Sequence, residues 1–215
     1  MDEQYRATVE RIVEQGERTQ EQIRDVVEEA AAETAESSRS LRDLARETIE
    51  AAVQAIDRSM PEDPDSVLRS VIDGVGEGLE RTAQATKLAV EEASTEGRHY
   101  AEHDLKAVAS DMKDLASMFA DTVERGVKGA GEQTVIRLQS AREHAERTAS
   151  AIRPVLESAA DTALRDPIKL AGESASAAAQ LSREATGALF STVGNLLKGA
   201  GDRISGGGGK KEDGE

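Results

Sequence analysis

The run Asp104-Leu105-Lys106-Ala107-Val108-Ala109-Ser110-Asp111-Met112-Lys113-Asp114-Leu115-Ala116-Ser117-Met118-Phe119-Ala120-Asp121-Thr122-Val123 decides the fold class. Leu105, Val108, Met112, Leu115, Phe119 and then Thr122 or Val123 step by three and four. That spacing places them on one face of an α-helix for about five turns. A half-buried strand would alternate at every second position, and this stretch does not. Met112, Met118 and Phe119 gather bulk here, in a chain with two Phe, two Tyr and no Trp. The stretch is the expected hydrophobic centre, and Leu105, Val108, Met112, Leu115 and Phe119 are also a candidate interaction surface.

The same periodicity extends in both directions. Towards the N-terminus, Val9, Ile12, Gly16, Thr19, Ile23, Val26 and Ala30 form a weak heptad-like stripe. It pauses at the polar stretch Glu36 to Ser40, where a serine can cap the next helix, and resumes at Leu41, Ala45, Ile49, Ala52 and Ile56. Met60-Pro61-Glu62-Asp63-Pro64 is the clearest boundary. Asp63 suits an N-cap and Pro64 the first helical position, where a missing N–H costs nothing.

The following stripe, from Leu68 to Val90, is interrupted by Gly74, Gly76 and Gly78. Three glycines cost a helix about 2 to 3 kcal/mol relative to alanine. They mark either a close approach by another helix or a kink. Past Gly126, Gly129 and Gly131, which end the central helix, a further helix is expected from about Glu132 to Ala163, kinked at Pro154. Asp166-Pro167 repeats the start signal, and a last helix begins at Ile168. Its later part carries Leu189, Phe190, Val193, Leu196 and Leu197 on one broad face, a second candidate interaction surface.

The expected fold is all-α: five or six amphipathic helices in an elongated bundle or in helical hairpins, with a disordered Gly-rich tail at the C-terminus. Three regions are expected: an acidic helical region over residues 1–60, a helical bundle over 61–205, and the tail over 206–215. Phe, Leu, Ile and Val together number 41 of 215 residues while Ala supplies 34. Such thin, Ala-rich faces suit helix partners or an apolar surface better than a deep reaction chamber.

Charge is uneven. The chain carries a formal net charge of -15, of which residues 1–63 hold -9, whereas residues 167–205 sum to +1. An acidic surface repels phosphates, so nucleic acid is not an expected partner. No cysteine is present, which removes disulfides and thiolate chemistry. Met1-Asp2-Glu3-Gln4 does not read as a secretory signal, and no apolar run reaches the roughly 20 residues of a membrane span. A cytoplasmic location is therefore expected.

The chemistry-bearing motif is His99-Tyr100-Ala101-Glu102-His103, which fits the pattern H-x-x-E-H. On a helix His99 and His103 would share a face and could chelate a metal, but the sequence supplies neither a third ligand nor a walled cleft. No phosphate-binding loop or nucleophile elbow occurs. No catalytic residue, resident metal or cofactor is expected, and the chain reads as a non-enzyme.

The low-aromatic, Ala-rich helices without Cys or Trp, with Ala159 to Leu197 and the polar tail, resemble bacterial phasins. That resemblance implies a self-associating helical coat on polyhydroxyalkanoate granules. Gly97 to Lys106 resembles a bacterial family of unknown function, which implies no activity. The leading expectation is a self-associating helical protein presenting an amphipathic surface, with itself and an apolar granule or lipid surface as partners. A coiled-coil scaffold binding a partner helix is the alternative. A stress-related hydrophilic protein that folds conditionally is the third reading.

Overall fold

The computed structural model of the chain describes residues 3–33, 40–95, 102–138, 140–165 and Val193. Among these the fold is all-α, with seven helices: α1 (Glu3–Gln15), α2 (Thr19–Glu33), α3 (Leu41–Ser59), α4 (Pro64–Thr95), α5 (Glu102–Lys128), α6 (Glu132–Arg137) and α7 (Ala141–Arg165). The five or six expected are exceeded because two stretches read as continuous are broken. Gly16 (φ 69°) and Arg18 (φ 50°) adopt left-handed backbone and divide α1 from α2. Turn residues around Leu138 and Ser140 divide α6 from α7. Neither break disturbs the spacing of the apolar residues, so periodicity alone does not reveal them.

Local chemistry sets the remaining ends. Ser40 caps α3, its hydroxyl accepting from the Asp43 N–H at 3.1 Å. Asp111 reaches over from α5 and accepts from the Leu41 N–H at 2.6 Å, satisfying a second exposed donor of the same helix end. Met60 closes α3 in the left-handed conformation, its N–H bonded to the Ile56 carbonyl at 2.8 Å. Asp63 accepts from the Ser66 N–H at 3.0 Å and α4 begins at Pro64, as the Asp-Pro signal predicts. The helix α7 continues through Pro154 on its exposed side.

The helices pair as three hairpins, α1–α2, α3–α4 and α5–α7, stacked side by side. In one layer α1, α3 and α5 run parallel: Tyr5 meets Thr48 and Glu10 meets Arg58, while Leu41 meets Asp111 and Arg42 meets Asp114. In the other layer α2, α4 and α7 run parallel: Gln20 and Arg24 meet Glu77 and Glu28 meets Arg81, while Asp73 meets His144 and Lys87 meets Ser158. Within the last hairpin α5 and α7 run antiparallel, Lys113 pairing with Asp161 and Arg142 with Glu124. The central hairpin is the most enclosed: α3 touches α1, α2, α4 and α5, and α4 touches α2, α3 and α7.

One apolar core runs through the stack, from Val9 in α1 to Ala163 in α7. Residues on both sides of the boundary at Met60 contribute to this core. Ala supplies 17 of the 43 buried hydrophobic residues among the described ones and Phe119 is their single aromatic, so the layers meet through thin contacts.

The glycines of α4 allow those thin contacts. A Cβ on Gly74 would lie 2.5 Å from the Gln20 carbonyl oxygen and 3.0 Å from the Ile23 Cβ. On Gly78 it would lie 2.8 Å from the Val27 Cγ1, and on Gly76 it would lie 2.5 Å from the Thr148 Cγ2. The close-approach reading holds, and on two sides at once: α2 crosses Gly74 and Gly78, α7 crosses Gly76, and α4 stays helical for all 32 residues.

Candidate functional site

The five residues of the first candidate surface are core residues. Leu105, Val108, Met112, Leu115 and Phe119 are all buried, Phe119 to 1% exposure. The expectation of a hydrophobic centre holds for them and the expectation of an open surface does not. Core and surface stripes share one spacing, and the apolar sides of α3 and α7 take this one up. Val193 is likewise helical, 1% exposed and part of the core. Leu189, Phe190, Leu196 and Leu197 lie outside the described residues, as do the second Asp-Pro start, the expected last helix and the tail. His99 lies outside them too. His103 is placed in the first turn of α5 by its backbone alone. Among the described residues no group of three His, Cys, Asp or Glu side chains could hold a metal ion.

The polar groups that do come together line the two flanks of α4. On the α2 side Arg24, Glu28, Glu77 and Arg81 alternate in sign around a ring. Arg24 lies 3.4 Å from Glu77 and 3.6 Å from Glu28, and Arg81 lies 3.0 Å from Glu77 and 3.4 Å from Glu28. Burial pushes the Glu28 carboxyl above its ordinary pKa, and Arg81 and Arg24 pull it back only in part. The buried Glu28 Oε1 has ion-pair neighbours but no aligned hydrogen bond. Removing either arginine strips charge compensation from a carboxylate shielded from water.

On the α7 side Asp73 Oδ1 lies 2.7 Å from His144 Nε2 and accepts from Thr148 Oγ1 at 3.2 Å. His144 Nδ1 sits 3.5 Å from Arg147 Nη2. A neutral imidazole satisfies both contacts when Nε2–H donates to Asp73 and Nδ1 accepts from Arg147. The Thr148 hydroxyl is spent on the carboxylate rather than on the imidazole, so this trio joins two helices and does not form a nucleophile with its base. His144 was not singled out in the sequence. Its partner is 71 positions away, and an isolated His between Glu143 and Ala145 carries no local signal.

Two further carboxylates fix the end of the stack where the hairpins turn. Asp57 accepts from the Gly131 N–H at 3.1 Å and from the Thr134 hydroxyl, and Ser140 donates to Asp65 at 2.6 Å. Acidic side chains thus make most of the cross-helix polar contacts.

Residues 2–205 match the model of a family of unknown function. The chain belongs to DUF6781, a family of unknown function. The DUF6781 match takes in the His99 motif, every described helix and the apolar residues from Leu189 to Leu197, and stops short of the Gly-rich tail. No curated protein and no solved structure gives a significant match. No helix among the described residues is long and apolar enough to cross a membrane.

Proposed function

We propose that this DUF6781 chain is a non-enzymatic, self-associating helical scaffold. The observation that supports the scaffold part of this reading is that cross-helix polar groups and apolar stripes alike are spent on joining hairpins: the charge ring ties α2 to α4, and the Asp73–His144–Thr148 group ties α4 to α7. Large apolar side chains at the surface of the described residues are few, Leu88, Ile136 and Leu164 being the most exposed. Scattered single residues of that kind are ordinary surface. The scaffold reading predicts a folded, highly helical chain without any added surface, and a discrete mass that grows with concentration. Light scattering coupled to size exclusion, run beside circular dichroism, tests it. Low helicity, or a monomer at every concentration, would overturn it.

A phasin-like coat is the second reading, favoured by the Ala-rich core, since layers held by alanine cost less to separate than layers held by large side chains. It predicts that the full chain floats with apolar particles or liposomes. Retention of all the protein in the soluble fraction removes it.

A further inference from the structure

The first hairpin combines two features that point to exchange between copies. The turn from α1 to α2 is Gly16-Glu17-Arg18, and two of its three residues hold positive φ. For Arg18 that conformation is strained, because an L-side chain crowds its own backbone there. The apolar pattern does not need the turn at all. Carried through at 3.6 residues per turn, Val9, Ile12 and Val13 of α1 and Ile23, Val27 and Ala30 of α2 fall within an arc of about 100° on a single uninterrupted helix. The sequence therefore serves equally as a hairpin or as a straight rod.

What α1 would leave behind is small and self-complementary. It buries only Val9, Ile12 and Val13, and its polar anchors are Tyr5 on Thr48 at 2.5 Å and Glu10 on Arg58 at 2.8 Å. The partners of those anchors, Thr48 and Arg58, lie on α3, which a second copy presents in identical form.

We propose that the chain dimerises by exchanging α1. The Gly16–Arg18 turn straightens, α1 and α2 join into one helix, and each α1 occupies the α3 face of the other copy. The occupant of that face is a second copy of this chain, and the inference deepens the self-association reading on which it rests. The strain at Arg18 is relieved in the exchanged form, and the packing of α1 on α2 and α3 is remade across the twofold axis.

The chain has no cysteine, so a thiol pair reports the exchange directly. Glu10→Cys with Arg58→Cys, treated with a short bismaleimide, links within one chain in the hairpin and between two chains in the exchanged dimer. Gly16→Ala penalises the turn and favours the helix, by at least about tenfold in population per chain. The dimer dissociation constant should therefore fall by about a hundredfold or more. Arg18→Gly removes the strain and should raise it. The expected result is a linked dimer and a doubled mass in Gly16→Ala, with the opposite shift in Arg18→Gly. If mass doubles while the link stays within one chain, exchange is overturned and association through another face stands. If every variant is a monomer at all concentrations, exchange and self-association are overturned together.

Discussion

Replacing Gly74 by alanine separates a packing seam from a flexible kink by the sign of one number. In a helix interior the substitution normally stabilises by about 1 kcal/mol, because alanine loses less backbone freedom on folding. Here the added Cβ would lie 2.5 Å from the Gln20 carbonyl oxygen, where an ordinary contact begins at 3.4 Å. The missing 0.9 Å cannot be recovered by a rotamer change, because the obstacle is backbone and the Ile23 Cβ stands behind it at 3.0 Å. The helix α2 must move outward, loosening Ile23, Val27 and the charge ring around Glu77 together. Overpacking of this kind costs about 1 to 3 kcal/mol, so the net change at the upper end is about 2 kcal/mol of destabilisation. For a chain of this size that is a fall in melting temperature of roughly 4 to 8 °C. Urea unfolding and a thermal melt, both followed by circular dichroism, measure it. A variant more stable than the parent by about the 1 kcal/mol of an unobstructed helix site would refute the claim that α2 packs directly on Gly74.

Phe119→Ala should destabilise the fold by about 3 to 5 kcal/mol, read from the urea midpoint, as expected for the single buried aromatic of the described core. An unchanged midpoint would return Phe119 to the surface. Asp111 is held above the ordinary aspartate pKa by burial, against the opposing pull of the Leu41 and Arg42 N–H groups. A raised carboxyl pKa contributes stability that is fully present below the unfolded value of 3.8 and is lost as pH rises through the folded value. Asp111→Asn keeps an acceptor for the α3 N-terminus and should abolish that loss, whereas Asp111→Ala should cost about 1 to 2 kcal/mol at neutral pH. Comparing stability at pH 4 and pH 7 for the three proteins decides it. Arg81→Ala leaves Glu28 with Arg24 alone and should cost about 1 to 2 kcal/mol, discounted for the partial exposure of Arg81. In that background Glu28→Gln should recover part of the loss in the same unfolding assay.

The helical class was legible because spacings of three and four survive through nearly every segment, and so were the starts that depend on local chemistry, Ser40 and Asp63-Pro64. The breaks were less so. The α1–α2 turn preserves the helical phase of its stripe, so nothing in the order of Val9, Ile12, Ile23 and Ala30 separates a rod from a hairpin. The glycines of α4 carried both of their meanings until the partner helices were known, since a Gly on a helix is silent about what approaches it. The stripe from Leu105 to Phe119 was legible as the hydrophobic centre, but the helices that enclose it were not. Its enclosure depends on α3 and α7, which lie far along the chain in either direction. The α4 flanks were beyond reach for the same reason: Asp73 with His144, and Glu28 with Arg81, are pairs set by the stacking of hairpins.

Hydrogen exchange followed by mass spectrometry tests the stacked-hairpin architecture most directly. If α4 is gripped by α2, α3 and α7, the amides around Gly74 to Gly78 should exchange as slowly as those from Leu105 to Phe119, through global unfolding, while α1 opens earlier. Rapid exchange at Gly74 to Gly78, with slow exchange on either side of it, would mean a broken helix at the point where the hairpins are said to join, and would contradict the account.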